Sequence, residues 1–480
     1  MQAEGNIRFL HLGGVEVVAS PPSEVFMKGN MKIKKSLIEK YNNRENLIVI
    51  SSYPRKGELY SGNVGGIASF AKNTVMNMDQ QVVVIAESFG RKGYYEEGKS
   101  LVIRAFERNR FAMWLQILAI LWQFRKTRKV LFQFDFALYG DMVVSALALP
   151  FLFTVRILGF DVSIVVHSIV TDVFNLTGHL GLNTGLMGRI KGHILNAVFR
   201  LFYRLLGFAV EKVIVNDESL KRKLSSYISE EKIAAIPHGT DISLGPVRKK
   251  RARKILGYGE DEQVVLYFGF VNWFKGADLF VSSFAKITKL AGKKVRFIMA
   301  GGESATLSQK SHYRTYFVNL YHQIEQSENI ELTGFVPQSK LALYFSAADL
   351  VVFPYRALIG ASGALFLAFS YKKPFILSER LAPMLRSVDC RAAMKRNGLT
   401  EADFTFHLSN QACVEKTRLV LLNGAKQKLS RLAGQLRRER NWQYTSRMFT
   451  RLIYAADAQT VEVPIGQKKA YSFAESEKSV

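Results

Sequence analysis

The chain has 480 residues, 48% hydrophobic and 22% charged, a balance that excludes a disordered polyelectrolyte and exceeds one ordinary core, so about two domains are expected. Lysine and arginine outnumber aspartate and glutamate 66 to 40, giving a net charge of +26, which predicts attraction to polyanions: nucleic acid, an anionic membrane face or phosphorylated small molecules. The two cysteines, Cys390 and Cys413, form no C-x-x-C pair, which argues against a disulfide framework or a zinc site and fits a reducing compartment.

The opening MQAEGNIRFLHLGG does not have the basic-then-apolar layout of a secretion signal, and residues 1–45 read as an N-terminal extension. From Asn46, short β-branched runs alternate with helical patterns. LIVIS (47–51), VVVIA (82–86), VLFQF (130–134), VSIVV (162–166) and KVIV (212–215) read as buried strands. Near-continuous apolar strands separated by helices indicate a parallel sheet covered on both faces. The apolar stretches 111–124 and 142–155 fall short of the roughly 20 residues a membrane span requires and read as buried helices. The segment KGHILNAVFRLFYRLLGF (191–208) combines apolar and basic residues at helical spacing. It fits a core-packed helix with solvated arginines, or a helix lying on an anionic membrane.

A second strand series follows: VVLYF (264–268), VRFIMA (295–300), 330–332, LVVF (350–353) and FIL (375–377). Between the series lies GPVRKKRARK (245–254), which reads as a solvated interdomain linker. The division is therefore 46–245, 246–438, a helix at 439–458, and a polar tail at 459–480. Two successive α/β domains create a cleft at the carboxyl ends of their strands, so the chemistry is expected in the loops that follow strands.

Gly65 and Gly66, after the first strand, let backbone approach a ligand, and the helix they open favours an anion. His167 follows the VSIVV strand, where it can hydrogen-bond or exchange a proton; taken alone it reads more readily as a hydrogen-bonded structural histidine. Gly269 and Lys275 lie in GFVNWFKG, where the lysine can meet a diphosphate. Gly302 ends the next strand. Tyr355, Arg356, Ser362 and Gly363 belong to PYRALIGASG, whose small residues open a helix and offer backbone amides to an anion.

Taken in order, SSYPRKG, NVGGIASFA, VVHS, IPHGTD, FGFVNWFKG, FIMAGG, GFVPQSK and SGALFLAFSYKKP resemble the retaining glycosyltransferases of the GT-B fold, the large family four or group 1. The resemblance covers about residues 46–456. It implies two Rossmann-like domains facing across a cleft and a C-terminal helix crossing back. It further implies a UDP- or GDP-sugar donor, no cofactor or metal, and a glycan or lipid-linked acceptor. By position, Lys275 would bind the donor diphosphate with Gly363 and its neighbours, Gly65 and Gly66 would oppose them, and His167 would approach the transferred sugar. A cytoplasmic enzyme of polysaccharide synthesis, peripheral at the inner membrane face and without nucleic acid, is the resulting expectation.

Two departures stand out. Phe270 occupies the place of the family's arginine, for which Arg356 is a candidate substitute. Ile359 and Leu367 occupy the places of its two glutamates, and residues 350–378 contain no Asp or Glu. A catalytically degenerate GT-B scaffold that binds a partner is therefore the alternative.

Overall fold

The computed structural model describes residues 25–26, 32–59, 65–182, 185–304, 307–422 and 424–455. The first domain holds β1 (Val25–Phe26), β2 (Leu47–Ile50), β3 (Val82–Glu87), β4 (Gly93–Glu97), β5 (Ser100–Phe106), β6 (Lys129–Phe134), β7 (Asp161–Val166), β8 (Lys212–Val215) and β9 (Ile233–Ala235). They form one sheet in the order β1-β4-β5-β3-β2-β6-β7-β8-β9. Its strands pair in parallel except at β4, which runs antiparallel to β1 and β5.

The second domain holds β10 (Gln263–Phe268), β11 (Lys289–Leu290), β12 (Lys293–Ala300), β13 (Ile330–Gly334), β14 (Leu350–Phe353), β15 (Phe375–Ser378) and β16 (Thr405–Phe406). Its sheet runs β11-β12-β10-β14-β15-β16, with β13 beside β12. The central strands β2, β3, β14 and β15 are buried at every position. That is why their sequences are apolar up to the terminal Glu87 and Ser378 rather than alternating. In both sheets the chain order reverses beside the first strand of the parallel series, β2 and β10. The loops after those strands consequently open on the cleft.

Helices cover both faces of the first sheet. Gly66–Met76 and the C-terminal Trp442–Tyr454 share one apolar core with the sheet, with Phe70 edge-on to both Trp442 and Phe449. Ser446 donates to the Thr74 carbonyl at 2.9 Å and Tyr454 to the Glu45 carbonyl at 2.9 Å. The last helix therefore crosses back from the second domain and locks onto the first. The opposite face carries the helices Met113–Gln123, Ala148–Ile157 and Leu186–Ala209.

Several expectations change. The segment 245–254 is exposed at most positions, as a linker would be, but it is only in part irregular. Lys249–Leu256 is helical and Arg253 is 2% exposed, donating to Asp349 at 2.6 Å and to the carbonyls of Gly259, Glu260 and Glu262. The extension at 1–45 already belongs to the domain at Lys35–Tyr41, where Tyr41 is buried and bonds Glu96. The hairpin β4–β5 does not stand out in the sequence because Arg104 interrupts its apolar run. The fold buries that arginine against the carbonyls of Tyr53 and Pro54. The stretch 142–155 is two helices, Met142–Ala146 and Ala148–Ile157. Asn63 and Val64, the tail from 459 and most of residues 1–45 lie outside the described residues.

Candidate active site

The two domains enclose a cleft of about 310 Å³, within the usual size for small-molecule sites. Eight expected site residues line it: Gly66, His167, Gly269, Lys275, Gly302, Tyr355, Ser362 and Gly363. Gly65 caps the Gly66–Met76 helix at the rim and is exposed.

The Lys275 turn is built locally. Asn272 caps the short helix Trp273–Lys275 by accepting from the Lys275 amide at 3.1 Å. Gly276 then reverses the chain with φ of +71°, and a Cβ there would lie 1.9 Å from the Pro354 carbonyl oxygen. Only glycine fits that close approach. Lys275 Nζ forms no hydrogen bond or ion pair among the described residues; it lies 5.9 Å from the Phe270 ring and 6.0 Å from the Phe274 ring. Burial lowers its pKa to about 8.

Opposite stands the helix Gly363–Ser370. Ser362 caps it, accepting from the Leu365 amide at 3.3 Å, and the Tyr355 hydroxyl holds Ser362 Oγ at 2.9 Å. A Cβ placed on Gly269 would lie 3.2 Å from Lys275 Nζ and 3.9 Å from Ala364 Cβ. The ammonium and the helix N-terminus thus flank one point in the cleft. A desolvated cation beside free helix amides is a site for an anion with several oxygens.

From the first domain, His167 Nε2 lies 2.6 Å from Gln133 Oε1. Phe70 packs edge-on against the His167 ring at 4.9 Å, and His238 stacks on Phe366 at 4.5 Å. Burial, with His238 nearby, lowers the His167 pKa to about 3; burial lowers that of His238 to about 4. Both rings are therefore neutral near pH 7 and serve as hydrogen-bonding groups rather than cations.

Arg356 does not take the place of the missing arginine. Both its terminal nitrogens reach Asp278 at 2.6 Å, one also donates to the Trp273 carbonyl at 2.8 Å, and the guanidinium lies over the Trp273 ring at 4.9 Å. It braces the Lys275 turn from behind. Ile359 and Leu367 do face the cleft as apolar wall. Sequence reasoning does not single out Asp135 or Gln133; Asp135 directly follows β6 and lines the first domain's side of the cleft. An acidic residue at a strand's carboxyl end was the available signal. Among the described residues, no group of three or more His, Cys, Asp or Glu is placed to hold a metal ion.

Residues 262–394 match the family model described as Glycosyl transferases group 1. An uncharacterized glycosyltransferase of Methanocaldococcus jannaschii is 27% identical over 150 residues, which is 30% of this chain and 36% of the relative. The matched stretch spans about a third of the length of the curated relatives. The sucrose-phosphate synthase of Thermosynechococcus elongatus shares the fold with a TM-score of 0.64 at 16% identity, over 86% of this chain and all of that one. HepE of Anabaena, solved with UDP-glucose, does so with a TM-score of 0.57 at 12% identity, over the same shares.

Proposed function

We propose that this chain, a GT-B protein whose second domain matches the group 1 glycosyl transferases, moves a hexose from a UDP- or GDP-sugar to a glycan or lipid-linked glycan, with retention and without a metal. The observation that carries the reading is Lys275, a desolvated cation with no hydrogen-bond or ion-pair partner among the described residues, set across one point from the first turn of the Gly363–Ser370 helix. A diphosphate placed there gains both. As the glycosidic C–O bond breaks, negative charge builds on the departing phosphate oxygen, and Lys275 with the helix N-terminus offsets it without a divalent ion. That HepE binds UDP-glucose on the same fold supports a nucleotide-sugar as donor.

The sugar would lie toward the first domain, where neutral His167 and Asp135 offer hydrogen-bonding groups to its hydroxyls. The acceptor hydroxyl forms the new bond to the anomeric carbon as the old one breaks on the same face. Its proton passes to the departing phosphate oxygen, which retains the configuration.

A second reading, a non-catalytic scaffold that binds a nucleotide-sugar or partner, draws on Ile359 and Leu367, which form apolar wall where the family resemblance leads one to expect glutamates. Screening UDP- and GDP-hexoses by thermal unfolding and by release of free nucleotide separates the two. The enzyme reading expects one donor to raise the unfolding temperature and be turned over, with both effects lost in Lys275→Ala. Stabilisation without turnover in the presence of glycan acceptors supports the scaffold. Absence of both sinks either version of the site.

A further inference from the structure

The Leu186–Ala209 helix is built with three faces rather than two. Gly188, Gly192, Phe199, Phe202, Tyr203 and Leu206 turn inward and are buried. Leu186, Ile190, Ile194, Leu201, Leu205 and Phe208 turn outward, at spacings of four, four, seven, four and three residues, which keeps them on one stripe. They are far from grazing contacts with water: Leu186 is 74% exposed, Ile194 and Leu201 58%, and Phe208 68%. Over 24 residues the stripe runs roughly 36 Å. A soluble surface helix normally carries its polar residues opposite the core.

On either side of this stripe lie cations. Arg189, Arg200 and Arg204 fall along one edge and Lys191 along the other, all exposed. None of the four forms an ion pair among the described residues. The stripe also continues onto its neighbour, where Arg156 donates to the Phe208 carbonyl and the adjacent Ile157 is 84% exposed. Leu115 and Trp122, on the Met113–Gln123 helix of the same layer, are exposed as well. The helices 113–123, 148–157 and 186–209 contain no aspartate or glutamate. A face that is apolar, edged by cations and free of acids matches a surface that is itself apolar beneath an anionic skin. A second copy of this chain would bring its own cations against these.

We infer that this face of the first domain docks in the interface of a membrane rich in anionic lipid, with the Leu186–Ala209 helix lying flat and its apolar stripe among the acyl chains. No helix among the described residues is long and apolar enough to cross a membrane. The position matters for the cleft. Gly192 sits against Phe174, and Gly178 of the following turn against Trp273 beside Lys275. The helix's N-terminal half is therefore linked through residues 174–178 to the turn that carries Lys275. The inference does not depend on catalysis.

Flotation of the full-length chain with vesicles of phosphatidylcholine, with and without phosphatidylglycerol, tests it at physiological salt. The chain is expected to float with the phosphatidylglycerol vesicles and remain behind with phosphatidylcholine alone. Ile194→Glu/Leu201→Glu and, separately, Arg200→Glu/Arg204→Glu should each cut partitioning by more than about tenfold, with thermal unfolding unchanged because all four side chains are exposed. Should the first variant misfold, the arginine variant decides alone. Failure of the parent chain to float with either vesicle overturns the inference, as does partitioning that both variants retain. Light scattering that shows a dimer dissociated by Ile194→Glu/Leu201→Glu overturns it too, by assigning the stripe to a second copy.

Discussion

A Cβ on Gly360 would stand 2.0 Å from the carbonyl oxygen of His167, so the loop of the second domain rests on a strand end of the first with no room for a side chain. The contact continues on both sides: Ser168 pairs with Gly360 as an antiparallel bridge, the Ile169 amide donates to the Ile359 carbonyl at 2.6 Å, and Lys223 Nζ donates to the Leu358 carbonyl at 2.7 Å. This seam sets the distance between His167 and the anion-binding turn.

Gly360→Ala is accordingly expected to hold the domains apart by an ångström or more. Misplacement on that scale costs about a hundredfold in kcat/KM, with cooperative unfolding retained, because the substitution lies in a loop and leaves both sheets untouched. Steady-state kinetics with the donor found in the screen checks this; activity within threefold (~) of the parent would show that the seam tolerates displacement.

Lys275 predicts a pH dependence for nucleotide binding. With its pKa lowered to about 8 by burial, the free protein loses the cation as pH rises through that value. The dissociation constant for UDP should then increase by about tenfold per pH unit above it, whereas Lys275→Arg stays flat because a guanidinium remains charged. Calorimetric titration between neutral pH and the lysine's ordinary range reads the slope.

Asp135 is expected to act on the sugar rather than on the diphosphate, since it lines the first domain's side of the cleft. Asp135→Asn should lower kcat by at least ~100-fold while leaving the dissociation constant for free UDP nearly unchanged. A comparable loss of UDP binding would place it elsewhere.

The two buried histidines predict acid sensitivity. Their folded pKa values, about 3 for His167 and about 4 for His238, lie below the unfolded value of 6.5. Below pH 6.5 the unfolded chain therefore binds more protons than the folded one. The stability gained by keeping both rings neutral is complete above pH 6.5 and falls with pH down to about 4 for His238 and about 3 for His167, at up to ~1.4 kcal/mol per unit for each ring. Denaturant melts of the parent and of His238→Gln across that window should differ in slope.

Arg356→Lys should weaken the Lys275 turn indirectly. A lysine cannot reproduce the paired contacts to Asp278 or the stacking on Trp273, and the pair is partly exposed, so the loss is about 1–2 kcal/mol. Asp278→Asn alone and with Arg356→Lys forms the double-mutant cycle that measures it.

Much of the fold was legible because local rules write it. The runs at 47–51, 162–166 and 264–268 are apolar but for Ser51 and Ser163, because both faces of those strands are covered. Asn272 and Ser362 cap short helices with side chains that a sequence displays. Gly276 and Gly360 stand where backbone meets backbone. These features placed the cleft and its anion-binding corner, because backbone sterics and burial period act over a few residues.

What the tertiary structure alone decided concerns solvation and charge. Lys275 and Arg356 look equally free in sequence, yet Asp278, 78 residues from Arg356, pairs with it and leaves Lys275 open. His167 becomes neutral only because Phe70, Gln133 and His238 converge on it from three other segments. The helix 186–209 shows its apolar residues plainly, but which of its two apolar faces meets the sheet depends on the neighbouring helices and strands. Electrostatic and hydrophobic energies depend on what lies within a few ångströms in space, and the fold brings those neighbours from distant parts of the chain.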